Sequence, residues 1–395
     1  VRILLASANR TLHGGAETYQ HALIAPLAAS GHQTALLYER TATIGRPTVD
    51  AGTGIPVWGT GEGGREVALA EAARWRPDVV YVQGLASPVL EARLLERWPG
   101  VLFAHGYYGT CETGTKRHAF PRVAACTRRF GPACLALHHA RRCGGLGVAT
   151  MVRGYRRQAA RLALLPQYRA VCVASAHMRR EYVRHAIAAD RLHVLPLPPA
   201  GITHDPSPPV GRAPVDTVVL AGRLTSLKGG ALLVDALPQA SRELGRPISL
   251  TVIGDGPERQ RLDSRARGNG VAARFLGWVG IEERNRILRT AGLLAMPSVW
   301  PEPWGLIGLE AACAGVPTVA FAIGAIPEWL EPGQSGELAP AEPPTAEGLA
   351  AAIVRALGDP AHYAGLCVGA WNRVQHFTVE RHIQDLLPVL AGGAA

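Results

Sequence analysis

The sequence predicts an α/β protein in two halves, each a parallel sheet covered by helices on both faces. Three observations lead there. Short, unbroken runs of β-branched and aliphatic residues alternate with longer amphipathic or alanine-rich stretches, as strands buried on both faces require. The alternation occurs twice, on either side of a proline-dense stretch. Glycines gather just after the apolar runs, where open α/β sheets bind their ligands.

In the first half, strands are expected at Ile3–Ser7, Gln33–Tyr38, Asp78–Gln83, Val101–His105 and Ala170–Ala174. Helices are expected at Ala16–Ala29, Glu62–Trp75, Ser87–Trp98 and Ala176–Ala188. From Leu195 to Pro214 the chain turns to Pro-Leu-Pro-Pro-Ala-Gly and then Pro-Ser-Pro-Pro, too many prolines for a sheet or a helix. The second half then offers strands at Asp216–Ala221, Ile248–Ile253, Arg274–Leu276, Leu293–Met296 and Thr318–Phe321. Its helices fall at Gly230–Ala240, Pro257–Arg267, Glu282–Thr290 and Gly305–Ala314. The last fifty residues read as helical, with breaks at Pro343-Pro344 and Gly358-Asp359-Pro360. The expected division is a first domain over 1–200, a linker over 201–214, a second domain over 215–372, and a terminal helix over 373–395 packing back on the first.

The length of 395 residues accommodates two cores. With 48% hydrophobic and 18% charged residues, the chain is far from the composition of disordered proteins. No apolar stretch reaches the roughly eighteen residues of a membrane span, and the expected compartment is the cytoplasm, with room for a peripheral place on the inner membrane face. Seven cysteines, an odd number, do not make a secreted disulfide framework. The net charge of +10 suits phosphate-rich ligands, an anionic membrane or nucleic acid. No nucleic-acid module surrounds the basic pairs, so nucleic acid is not an expected partner.

The chemistry-bearing residues follow the apolar runs. After the first run, Gly14 and Gly15 open a helix; they form a simple turn or let the backbone approach a ligand. This pair lacks both the G-x-G-x-x-G and the P-loop spacing. The run ending at Ala221 leads into Gly222, Arg223 and Lys228, two cations and a glycine leaving one strand end together. Arg can fork onto two phosphate oxygens and Lys adds a mobile charge; the alternative is a pair of solvated cations. Gly254 follows the next strand, and its neighbour Asp255 either meets a ligand or caps a helix. Pro301 and Pro303 hold Glu302 on an extended loop, and the next helix begins around Gly305 and Leu306. Backbone N–H groups at that helix start suit phosphate oxygens. Glu310 lies just over a turn further on among Leu309, Ala311 and Ala312; if buried it needs a partner, for which a ribose diol serves, and otherwise it faces solvent.

With these residues in place, the chain resembles the retaining glycosyltransferase family 4, whose members share the GT-B fold of two Rossmann-like α/β domains facing each other across a cleft. The likeness covers nearly the whole chain. It rests on Glu302 and Glu310 as the family's E-x7-E pair, on Gly222-Arg223 to Lys228, and on Gly14-Gly15-Ala16-Glu17. It implies a metal-independent transfer from a nucleoside diphosphate-sugar to a hydroxyl acceptor, in the synthesis of a polysaccharide, glycolipid or glycosylated natural product, with no cofactor required. It also implies roles. Arg223 and Lys228 would neutralise the diphosphate, with Gly305 and Leu306 adding N–H groups and Gly15 approaching from the first, acceptor-binding domain. Glu310 would hold the ribose hydroxyls, Glu302 would sit by the donor sugar, and His105 would stand near the reaction centre. Gly14, Gly222, Gly254 and Trp304 would complete the donor site. Three features depart from the family pattern: Trp304 stands where Phe or Tyr is usual, the turn Ile323–Glu328 keeps a single glycine, and the stretch from Tyr107 to Gly145 is atypical. A sugar-nucleotide epimerase on the same fold and a silent sugar-nucleotide-binding subunit are the rival classes.

A Cys/Arg-rich insert is expected over about 107–157. Cys111, Cys126, Cys134 and Cys143 could hold a structural zinc, form disulfides or stay unlinked. Nine arginines between Arg117 and Arg157 make a basic face, suited to a lipid-linked or anionic acceptor, with Tyr107, Tyr108, Leu135 and Leu137 as its apolar contacts.

Overall fold

The computed structural model describes residues 1–12, 14–61, 64–202 and 204–392. They form two compact units. The first comprises residues 1–115 and 127–200 together with the segment from Val379 onward; the second comprises 116–126 and 201–378.

Up to residue 200 the elements run β1 (Arg2–Asn9), α1 (Gly15–Ala29), β2 (Gln33–Arg40), β3 (Val57–Gly59), α2 (Arg65–Trp75), β4 (Val79–Val82), α3 (Pro88–Leu95), β5 (Gly100–Phe103), β6 (Arg117–His118), β7 (Ala124–Ala125), α4 (Ala133–Ala140), α5 (Val148–Leu164), β8 (Ala170–Val173), α6 (Ala176–Arg184) and β9 (Leu192–Val194). The first unit's sheet has the order β3-β2-β1-β4-β5-β8-β9, every pair parallel. Ile3 to Ala6 and Val79 to Val82 are fully buried, which explains their unbroken apolar character. Ser87 and Ser175 accept bonds from Leu90 N and Met178 N, capping α3 and α6.

The second unit continues with β10 (Thr217–Ala221), α7 (Gly230–Leu244), β11 (Ser249–Ile253), α8 (Arg259–Gly268), β12 (Ala273–Gly277), α9 (Ile281–Thr290), β13 (Leu293–Met296), α10 (Leu306–Ala312), β14 (Thr318–Phe321), α11 (Ile326–Trp329), β15 (Gly336–Ala339), α12 (Ala346–Gly358) and α13 (Pro360–Val374). Its sheet, β12-β11-β10-β13-β14-β15, is also parallel throughout. Both sheets reverse their winding beside the first strand of the unit, at β1/β4 and at β10/β13. Crevices at such switch points open at the carboxyl ends of the strands. The last helix, α14 (Val379–Ala391), packs on α1 and β4 in the first unit.

Several elements differ from the sequence reading. Glu62, the expected start of the second helix, lies outside the described residues, as does Thr203 of the expected linker. The rest of that linker is clamped onto the second unit: Arg212 donates to the carbonyls of Ala314, Arg289 and Ala291. β3, β9 and β15 are strands of three or four residues, too short to show a period. The insert region holds α4 and α5, two helices absent from the sequence-based expectation. Of the buried positions of α5, Gln158 and Arg161 are polar and Leu164 is apolar, so polar side chains share its inward face. Arg161 compensates by donating to Leu85 O and stacking on Tyr108, 4.0 Å from the ring centre; Gln158 Oε1 accepts from Gly109 N at 2.8 Å.

Candidate active site

The second unit gathers its chemistry at the carboxyl ends of β10, β11 and β13. The loops after β10 and β11 are pressed together: Gly222 N donates to Ile253 O and Leu224 N to Asp255 O, both at 2.9 Å. Gly254 has φ +120°, and a Cβ there would stand 2.0 Å from Gly222 O, so no other residue fits. This contact stiffens the loop carrying the two cations. Arg223 is exposed and forms no ion pair among the described residues. Lys228 instead lies 2.7 Å from Glu302 Oε1.

Glu302 is buried, 4% exposed, so its charge must be met. Three donors converge on Oε1: Lys228 Nζ at 2.7 Å, Trp300 Nε1 at 2.9 Å and Ser298 Oγ at 2.5 Å. Ser298 and Trp300 were missed by the sequence reading, although they lie on the same proline-bounded loop, four and two residues before the carboxylate. An oxygen that accepts three bonds is a poor nucleophile and a good anchor for a lysine. The lone glycine of the late turn, Gly324, has φ +64°, and a Cβ there would come within 2.4 Å of Glu302 N and O. Ala325 N donates to Glu302 O at 2.8 Å, so this turn braces the Glu302 loop from below.

Gly305 is the N-cap of α10, which is only seven residues long. Trp304 beside it is buried: its ring meets Phe377 edge-on at 5.4 Å and its carbonyl accepts from Trp329 Nε1 at 2.7 Å. Its side chain belongs to the core beneath the loop. Glu310 is also buried, and burial pushes its carboxyl above the usual range against the opposing pull of Arg284. Arg284 Nη1, from α9, lies 3.0 Å from Glu310 Oε2. Arg284, which the sequence reading does not name, is thus one partner of the buried Glu310.

In the first unit, Gly14 caps α1 after β1, and Asn9 ties the turn by donating to Glu17 at 2.8 Å. His13, between them, lies outside the described residues. His105 follows β5, half-buried, with Nε2 at 2.5 Å from Gln83 Oε1 at the end of β4. The Gln83 amide thus fixes the orientation of the imidazole ring. Burial, and secondarily the nearby His382, push His105 down to about 3. His105 is thus a neutral hydrogen-bonding group at physiological pH. His382 of α14, pushed down to about 4 by burial, bonds Tyr19 OH at 2.7 Å and Pro196 O at 2.9 Å.

Solved structures of known proteins share this architecture end to end. Anabaena HepE in complex with UDP and glucose superposes with a TM-score of 0.72, covering 99% of each chain at 20% identity. The pneumococcal O-GlcNAc transferase GtfA, in complex with UDP and GlcNAc, gives 0.72 over 99% of this chain and 98% of that one, at 11% identity. The chain has a GT-B-type fold. Within it, residues 215–359 match the family of glycosyl transferases group 1, which places the match on the second unit. Among curated proteins, the D-inositol 3-phosphate glycosyltransferase of Jonesia denitrificans is 34% identical over 189 residues, 46% of this chain and 44% of that protein. Glycogen synthase of Mycobacterium tuberculosis is 37% identical over 146 residues, 36% and 34% of the two chains. The matched part is thus less than half of these relatives' length.

For the insert of this GT-B chain, the cysteine alternatives are narrowed and one expectation is corrected. None of its four cysteines is joined in a disulfide, and among the described residues no three His, Cys, Asp or Glu side chains converge to hold a metal. Their wide spacing lets each settle locally. Tyr107 and Tyr108 are interior, 2% and 9% exposed, because Tyr107 OH bonds His177 and Tyr108 OH donates to the buried Glu91. Exposed apolar residues near the insert's arginines in the chain include Phe120, Leu146 and Val148, at 50%, 87% and 60%. No helix of the described residues is long and apolar enough to cross a membrane.

Proposed function

We propose that this chain is a retaining glycosyltransferase that moves a sugar from a nucleoside diphosphate donor to a hydroxyl acceptor. The observation that carries the reading is the Arg223–Lys228–Glu302 arrangement at the carboxyl ends of β10 and β13, with an unpaired cation on one side and a lysine held by a buried carboxylate on the other. Charge develops on the diphosphate as the anomeric bond breaks, and groups already in place stabilise it without reorganising. Arg223 and Lys228 supply positive charge, with the N–H groups of Gly305 and Leu306 beside them. Glu310 takes the ribose hydroxyls. Glu302, anchored by three donors, orients Lys228 and the donor sugar and forms no covalent intermediate. His105, a neutral hydrogen-bonding group, contacts the donor sugar near the reaction centre. The acceptor hydroxyl gives its proton to the departing phosphate.

The similar proteins support this reading: a glycosyltransferase, a glycogen synthase, and structures holding UDP with glucose or GlcNAc. The basic surface of the first unit gives the acceptor a chemistry. Arg141, Arg142, Arg153, Arg156 and Arg157 are exposed around Leu146 and Val148, a combination suited to an anionic lipid surface on the inner membrane face or a lipid-linked acceptor.

The test is a panel of nucleotide sugars, offered without acceptor to the wild type and to Arg223→Ala and Glu310→Ala, with binding and donor hydrolysis followed. Saturable binding of one donor, weakened about a hundredfold in the arginine variant, is the expected result. Binding to none of them rejects the transferase reading, and release of an altered free sugar nucleotide assigns an epimerase instead.

A further inference from the structure

The helical period of α9 puts Arg284 in the same row as Ile287, Leu288 and Ala291, all buried. An apolar side chain would be ordinary there. An arginine on the inward row is costly unless its charge is met. It is met with two kinds of partner. Nε and Nη2 donate to Asn285 Oδ1 at 3.1 and 3.0 Å, which fixes the guanidinium plane. Asn285 is in turn held by Gly201 O at 2.7 Å. The remaining Nη1 reaches Glu310 Oε2 at 3.0 Å. Glu310 Oε1 makes no hydrogen bond among the described residues, so half of the carboxylate is engaged and half is available.

We propose that Arg284 is a positioning residue that holds the Glu310 carboxylate, ionised and in one rotamer, for the ribose hydroxyls of the nucleotide donor. The inference rests on the donor-site reading above and adds to it a residue from a different helix. Glu310 is buried with its helix against α9, α13, β13 and β14. The other titratable groups nearby are few. Cys313 lies one turn on, with His204 at 3.6 Å from its thiol and Asp205 adding charge. α13 contributes the buried Tyr363 and Cys367, and β13 and β14 carry no titratable side chain. Arg284 is therefore the cation that opposes the upward push of burial on Glu310, and without it the carboxyl takes up a proton at a higher pH.

The experiment measures the dissociation constant of the nucleoside diphosphate itself, from about pH 6 to about pH 9, in wild type, Arg284→Met, Arg284→Lys, Glu310→Gln and the double variant. Arg284→Met is expected to weaken binding about tenfold at neutral pH, a loss that shrinks as alkali ionises Glu310. Arg284→Lys should restore most of it, and the double variant should bind no more weakly than Glu310→Gln alone. A loss of the same size at every pH, or one that adds fully to that of Glu310→Gln, overturns the proposal by assigning Arg284 a packing role. If Glu310→Gln binds like the wild type, the ribose role of Glu310 fails first, and the proposal falls with it. Denaturation midpoints identify any variant that has lost its fold, and in that case the lysine variant carries the test.

Discussion

Lys228 and Glu302 illustrate how one atom can organise a site. Three donors converge on Oε1 of a carboxylate that almost no water reaches. Replacing Lys228 by Met leaves only the two neutral donors and removes a cation from the diphosphate. The expected cost is about a hundredfold in kcat/KM, or ~2.7 kcal/mol of transition-state stabilisation. Ser298→Ala removes one neutral bond and should cost only about fivefold, near 1 kcal/mol. Steady-state kinetics on the two variants check the ranking; equal losses would mean that the loop, not the charge, is what both mutations disturb.

At the scale of elements, loops are held by close backbone approach and a helix by polar anchors. Gly324 and Gly333 both have positive φ, +64° and +75°, but only Gly324 abuts other backbone. Gly333→Ala therefore incurs conformational strain alone, roughly 1 kcal/mol, whereas Gly324→Ala must also displace the Glu302 loop and should cost roughly 2 kcal/mol or more. Denaturant midpoints distinguish them, and donor affinity should fall only in the Gly324 variant. In the first unit, Gln158 and Arg161 fasten α5 to the 85–109 loops through backbone groups. Gln158→Leu leaves Gly109 N without its acceptor, at about 1–3 kcal/mol, measurable by the same midpoints.

For the whole molecule, acid is the sensitive variable. His105 and His382 are held neutral by burial, down to about 3 and about 4, against about 6.5 for an unfolded histidine. Their contribution is intact above about pH 6.5 and is lost as pH falls toward 4, because only the unfolded chain takes up the protons. His138 runs the other way. Burial would lower it, but its bonds to Gly145 O and Glu112 outweigh that, so its contribution is present below about pH 6.5 and is lost on raising the pH. Glu91 and Glu310, pushed up by burial, also oppose the two lowered histidines. The clean measurement is therefore a difference: between about pH 6.5 and 4.5, stability of His105→Gln should fall less steeply than that of the wild type, by up to ~1.4 kcal/mol per pH unit. Parallel curves would show that His105 takes up its proton in the folded state too.

The two-fold alternation of strands and helices, and the glycines and cations at strand ends, were legible in the chain because a parallel sheet buried on both faces imposes unbroken apolar runs whatever its surroundings. Sequence alone brought Arg223 and Lys228 into one loop, and Glu302 and Glu310 to either side of a helix start. It did not reveal α5, which buries Gln158 and Arg161, or the partners of the two carboxylates. Arg284 is 26 residues from Glu310 and Lys228 is 74 from Glu302, and neither spacing carries a local signal. Tertiary structure decided those pairings, because a buried charge accepts whichever opposite charge the packing of other elements brings within 3 Å.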